Sequence, residues 1–356
     1  MALPAGWQQY LLRRRRGGWA PFIEGWVGMG SVRRLICLSL SLTALIAAAS
    51  YVWLPHSKVY IDPSNAWLVT KAFCVVAGLY GVVGLVARRV RGDETGPGRL
   101  IERLAGMAQT LLNLCAITIP FGCAFGVFIC LASANGRPLI DGDLAAIDLA
   151  LGFDWPSFLA LTNRDPTISA ILVATYHSAG YQMLALALVH ASMRRLDRLL
   201  EFSVACAVCL TITGTIVALF PAEGAYAYFK PTAEMFSNFT TDAGMWHYPT
   251  LLKLRSGEPF AIILSEAQPL VTFPSFHSSI GVLVAYSVRW WRFVFWPVAL
   301  LEVVMIVSTI PEGGHHLIDL IAGIVVAAVS IVVVRSVLAT RSAPAVPITS
   351  RPLSNS

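Results

Sequence analysis

Apolar residues are gathered along this chain into long blocks, and the polar positions that part them are short and charged. Eight blocks approach the roughly twenty residues that carry a helix across a hydrocarbon layer. They fall at about residues 35–54, 67–87, 107–132, 167–190, 201–220, 275–289, 293–310 and 316–336. The first five are clear. The sixth is short and opens on polar residues, and the eighth contains Asp319. The pattern predicts an all-α polytopic membrane bundle of about eight transmembrane helices.

Composition strengthens that reading. The chain is 56% hydrophobic and only 13% charged, about half the charge share of soluble domains. A soluble fold of this length leaves too much of that apolar surface exposed. The net charge of +6 would suit a nucleic-acid partner in a soluble protein. Here the basic residues cluster beside apolar runs, so topology explains them and no nucleic-acid partner is expected. The seven cysteines lie within apolar segments without metal-ligand loop spacing, and read as small buried hydrophobes. Arg33–Arg34, an apolar run and "AAAS" (47–50) mimic a signal peptide. That run is too long for one and more than thirty residues precede it, so an uncleaved first span is expected. The arm "RRRRGGW" (13–19) reads as cytoplasmic and lipid-facing.

The loops alternate in charge. Arginines crowd 88–106, 191–200, "VRWWR" (288–292) and the tail after 335. With eight spans these fall on one side together with the N-terminus, and the positive-inside rule makes that side cytoplasmic. The opposite loops are acidic at 133–166 and long at 221–274. Residues 144–161 read as one interfacial helix with Trp155 and Phe158 at headgroup level. The setting expected is a bacterial inner membrane.

Two polar interruptions then stand out, "TFPSFHSSI" (272–280) and "PEGGHHLIDLIAG" (311–323). If a helix begins at the second, His315 and Asp319 share a face one turn apart. The carboxylate then accepts one ring N–H, fixes the tautomer and makes the other nitrogen a better nucleophile. An aspartate in a span needs a partner or a function. Spans six and seven form one hairpin between the two motifs, so His277 and His315 return to the same external side. By itself His277 reads as a polar cap on a helix start. Zinc held by His277, His315 and Asp319 is chemically open but less apt, and no metal or cofactor is expected.

"FPSFH" followed by "GGHHLID" resembles the type-2 phosphatidic acid phosphatase superfamily over about residues 140–330. The Pro-Ser-Phe-His variant and "LGFDWPSFLAL" look more like its inositol phosphorylceramide synthase branch. The resemblance implies that His315 is a nucleophile forming a phosphohistidine, Asp319 orients it, and His277 protonates the leaving oxygen, without metal. It also implies that Ser275 and nearby N–H groups hold phosphate oxygens. The family's third-motif arginine falls at Thr309, Phe276 replaces a glycine, and the first motif is absent. Lys253 and Arg255 are the nearest substitutes, Arg255 the better through bidentate grip. The implied organisation is a basic arm (1–34), N-terminal spans (35–132), a phosphatase-like catalytic domain (133–336) and a disordered tail (337–356). The expected activity is lipid or isoprenoid phosphate hydrolysis facing the exterior. Headgroup transfer to an alcohol is the alternative, and a non-enzymatic transporter with a degenerate site is the rival of another class. Elsewhere, His316 reads as interfacial and Glu302 as paired within the bundle. Tyr176, His177, Tyr181 and Gln182 read as interhelical hydrogen-bonding groups, with His177 or Gln182 lining a headgroup pocket as the functional alternative.

Overall fold

A computed structural model describes residues 20–240, 242–268 and 270–339. The arm residues 1–19 and the tail beyond 339 lie outside the described residues. Eleven helices of eight or more residues and one short one follow in order: α1 Ala20–Trp53, α2 Ser64–Arg89, α3 Gly96–Ser133, α4 Asp141–Ala150, α5 Trp155–Asn163, α6 Pro166–Ser192, α7 Leu196–Leu219, α8 Ala225–Phe229, α9 Tyr248–Arg255, α10 Phe276–Ser287, α11 Arg292–Ser308 and α12 Leu317–Ala339. The fold is all-α, as its apolar blocks predict.

All eight apolar blocks are helical, but their lengths divide them. Six are long and apolar enough to cross a membrane, and the bent pair α4–α5 is the seventh candidate. The other two blocks are α10 with 12 residues and α11 with 17. At 1.5 Å per residue they reach about 18 and about 25 Å, short of a roughly 30 Å hydrocarbon core. The polar start of the sixth block is the cause. "TFPS" stays outside the helix, and Ser275 begins α10 as its cap.

At the centre is α7, which packs against α1, α3, α10 and α12. Its Leu200, Val204, Ala205 and Cys209 are buried with Leu283 of α10 and Ala327 of α12 in one core cluster. Small residues at such contacts let helices approach closely where lipid offers no hydrophobic drive. A two-stranded parallel ladder, β1 Val59–Ile61 with β2 Phe260–Ile262, ties the first loop to the segment before α10, pairing Val59 with Phe260. Asn65 locks it, donating to the Ile262 carbonyl at 2.6 Å and accepting from Leu264 N–H at 2.8 Å.

Three expectations change. Residues 144–161 are not one interfacial helix: α4 and α5 meet at 77°. Gly152 turns the chain at φ +79°, and Asp154 caps α5 by accepting from Ser157 N–H at 3.0 Å. Glu302 is 2% exposed, and neither of its carboxylate oxygens has a hydrogen-bond partner. It is packed against Gly281 rather than paired. Tyr181 is 76% exposed on the outside of α6, so it makes no bond between helices, whereas Tyr176 is buried.

Charge gathers at the end of α10 away from His277. Arg289 donates to Glu201 at 2.8 Å and lies 3.5 Å over the Tyr286 ring. Arg198 donates to the same carboxylate group at 3.0 Å. Arg34 reaches the Leu338 carbonyl at 3.1 Å.

Candidate active site

The site is built on the loop between α11 and α12. Gly314 sits at φ +71° and Gly244, in the loop before α9, at φ +62°. A Cβ on Gly314 would come within 2.7 Å of the Gly244 Cα, so only two glycines let these backbones cross. Cross-loop bonds hold the crossing. Gly244 N–H donates to the Glu312 carbonyl and Ala225 N–H to the Gly314 carbonyl, both at 2.8 Å. The Tyr226 hydroxyl donates to the Pro311 carbonyl at 2.5 Å. The Gly-Gly pair therefore serves loop packing first, although Gly313 also lines the cavity described below.

His315 lies two residues ahead of α12, not inside it, and is 4% exposed. Its Nδ1 still meets Asp319 Oδ2 at 3.2 Å. The same oxygen accepts His316 N–H at 2.9 Å. Asp319 is 1% exposed. With Nδ1 carrying the proton toward this carboxylate, the lone pair is left on Nε2. Burial pulls two ways here: it desolvates the carboxylate, and the ring and N–H bonds compensate.

His316 is not interfacial. It is fully buried, with Asp141 at 3.6 Å from Nε2 and Asp148 at 3.7 Å from Nδ1. Both carboxylates are also structural. Asp141 accepts Glu223 and Gly224 N–H, each at 2.9 Å. Asp148 accepts Leu317 N–H at 2.8 Å and Ile318 N–H at 2.9 Å, which caps α12 from another helix. Trp155 is 1% exposed and donates its indole N–H to the His315 carbonyl at 3.1 Å. It supports the site rather than meeting headgroups, so α4 and α5 are the wall behind the loop.

His277 is brought alongside by contact between α10 and α12. Ser275 N–H donates to the Asp319 carbonyl at 3.0 Å, and Ser279 Oγ to the Gly323 carbonyl at 2.7 Å. A Cβ on Gly323 would lie 2.3 Å from the Ser275 carbonyl oxygen, so this close approach requires glycine.

The two imidazoles open into one cavity of about 230 Å³, lined also by Tyr176, His177, Trp246, His247 and Gly313. Four of the chain's seven histidines thus face one space. The Tyr176 ring lies 4.6 Å from that of His277. His177 Nε2 is 2.9 Å from Glu312 Oε1, which also accepts the Thr240 hydroxyl at 2.5 Å. His247 Nε2 donates to the Glu223 carbonyl at 2.9 Å, and burial pushes its pKa below the ordinary histidine value. Among the described residues no group of three or more His, Cys, Asp or Glu side chains could hold a metal ion.

His277, His315 and Asp319 are thus brought together. The three expected phosphate contacts are not at the cavity. Arg255 donates to the Asn135 carbonyl at 2.9 Å and the Arg137 carbonyl at 2.6 Å, so its guanidinium is used to hold the loop after α3. Lys253 is exposed on the same short helix α9. Ser275 is fully buried, its Oγ accepting Ser278 N–H at 3.3 Å. Nearness in sequence to the motif does not place these three at the cavity. Glu312, His247, Asp141 and Asp148 went unread. Glu312 and its neighbour in "PEGGHH" carried the one available signal, a carboxylate three residues before the nucleophile candidate.

Comparison with curated proteins and with solved structures found no match. A protein-family model described as "PAP2 superfamily" matches residues 142–333, more than half of the 356 residues. It names no branch within the superfamily, so the inositol phosphorylceramide synthase likeness gains no support from it. The matched segment holds α4 from its second residue, α5, both histidine motifs and all the residues that line the cavity. The chain belongs to the PAP2 superfamily, and lipid phosphatase or phosphotransferase chemistry is the type of activity that membership implies.

Proposed function

We propose that this protein hydrolyses a lipid or isoprenoid phosphate monoester through a phosphohistidine on His315. One observation carries the reading. His315 gives one nitrogen to a buried carboxylate while its ring lines the same cavity as His277. In the first step His315 Nε2 attacks phosphorus. The P–N bond forms, the ester P–O bond breaks, and His277 gives its proton to the departing alkoxide. Asp319 stabilises the positive charge that develops on the imidazole by accepting a hydrogen bond from its Nδ1–H. In the second step water attacks phosphorus, the P–N bond breaks, and His277 recovers the proton. Burial pushes the pKa of His277 down to about 4, and the negative charge arriving with the phosphate shifts it back toward the protonated form that the step uses.

Residues 133–336 form the catalytic domain in this reading. The arginines at the far end of α10 support a cytoplasmic position for that end, which leaves the cavity facing the exterior and both termini inside. No feature of the cavity favours an alcohol acceptor over water, so transfer is an outcome of the test. That test is inorganic phosphate release by the purified protein in detergent with a chelator, across lipid and isoprenoid phosphates, beside His315→Ala. Release that the substitution abolishes is expected. Release unchanged in His315→Ala would sink the assignment. Turnover appearing only when an alcohol is added would make the protein a transferase.

A further inference from the structure

A phosphate monoester brings up to two negative charges, and its transfer spreads charge over three equatorial oxygens that must be met by positive groups. The family's third-motif arginine corresponds here to Thr309, which is fully buried and donates its hydroxyl to the Ile306 carbonyl at 2.7 Å. Among the described residues no lysine or arginine lines the cavity. The charge has to come from its histidines.

Three of the four are otherwise engaged. His315 needs its lone pair to attack. His277 loses its proton to the leaving group. His247 spends Nε2 on the Glu223 carbonyl, and burial favours its neutral form. His177 remains. Its partner Glu312 is 1% exposed and is fixed by Thr240, whose hydroxyl donates at 2.5 Å and whose N–H donates at 3.3 Å. A carboxylate buried to this extent calls for a compensating positive charge. Among the described residues the ion-pair partner of Glu312 is His177. The His177 side chain itself is 40% exposed, and with Nε2 on the carboxylate its Nδ1 is left for a ligand. The Tyr176 ring stands between the two sites, within 5.3 Å of His177 and 4.6 Å of His277.

We propose that His177, held as an imidazolium by Glu312, is the phosphate-binding cation of this cavity, replacing the arginine that the Thr309 position lacks. Glu312 is then a positioning residue, acting through His177. The inference rests on the phosphoryl-transfer reading, but its test does not.

The test is the Kd of inorganic phosphate, measured by titration calorimetry on the detergent-solubilised protein, for wild type, His177→Gln, His177→Arg and Glu312→Gln. Loss of one charge-assisted contact predicts a Kd weaker by roughly tenfold or more in His177→Gln. Arginine keeps the charge and should restore the Kd to within about threefold of wild type. Glu312→Gln should weaken binding in the same direction as His177→Gln. His177→Gln within about twofold of wild type, or His177→Arg as damaged as His177→Gln, overturns the assignment. Wild type that does not bind phosphate overturns it too. The KM of a short-chain lipid phosphate should rise in parallel with the Kd. Phosphate binding with the expected pattern but no phosphate release from any substrate would instead defeat the hydrolase reading and leave the cation in place.

Discussion

In the proposed reading His315 owes its reactivity to its surroundings: a buried carboxylate meets Nδ1, and the ring also lines the open cavity. Removing the ring removes the nucleophile, so His315→Ala should lower phosphate release to background. Asp319→Asn keeps the shape but offers no charge to the Nδ1–H, and kcat should fall by roughly 10²- to 10⁴-fold in a phosphate-release assay. His277→Ala should be selective. Alkyl phosphates need a proton on the leaving oxygen and should lose roughly 10²-fold or more, whereas an activated aryl phosphate should lose far less. Equal losses on both would mean that His277 is not the acid. The grouping of these three residues was legible because its spacing is local. His315 and Asp319 are four residues apart, and His277 sits in a motif of its own. The partners of His316, Arg255 and Trp155 were not legible for the opposite reason, since Asp141, the Asn135 carbonyl and the site loop are distant in sequence.

Elements carry the geometry, and glycine and aspartate decide how closely they meet. Gly323→Ala puts a Cβ 2.3 Å from the Ser275 carbonyl oxygen. It should push α10 from α12, with loss of activity exceeding any change in helix content by circular dichroism. Asp148→Ala removes two capping bonds from α12 and leaves His316 with one carboxylate. A cost of about 2–4 kcal/mol should appear as a lower midpoint of thermal unfolding. The loop bearing His247 should respond to acid. Burial lowers its folded pKa, so its contribution to stability is present above the ordinary value of about 6.5 and is lost as pH falls below it. Fluorescence of the adjacent half-exposed Trp246 should therefore change below about pH 6.5. A change on the alkaline side instead would contradict that assignment. At this scale the apolar blocks announced every long helix. They did not announce the break in α4–α5, because a bend at Gly152 and a cap at Asp154 look, in sequence, like an amphipathic stretch with one turn in it.

Across the whole molecule, a bundle of long helices holds two short ones whose ends meet at the histidines. α10 is too short to cross the bilayer, and the segment before it lines the cavity through Val271 and Thr272, while the pair α4–α5 backs the site loop through Trp155 and Asp148. Class and superfamily were readable from apolar length, low charge and paired motifs. His177 was legible as a pocket-lining alternative, and it lines the cavity where Gln182 does not; its contact with Glu312 was not legible, because the two stand 135 residues apart. The most direct measurement is to quench the protein during turnover of a short-chain lipid phosphate and locate the covalent phosphate by mass spectrometry under alkaline conditions. The account predicts an acid-labile phosphate on His315, absent in His315→Ala and accumulating in His277→Ala with an aryl phosphate. Turnover with no phosphohistidine, or with the phosphate on another side chain, would contradict it.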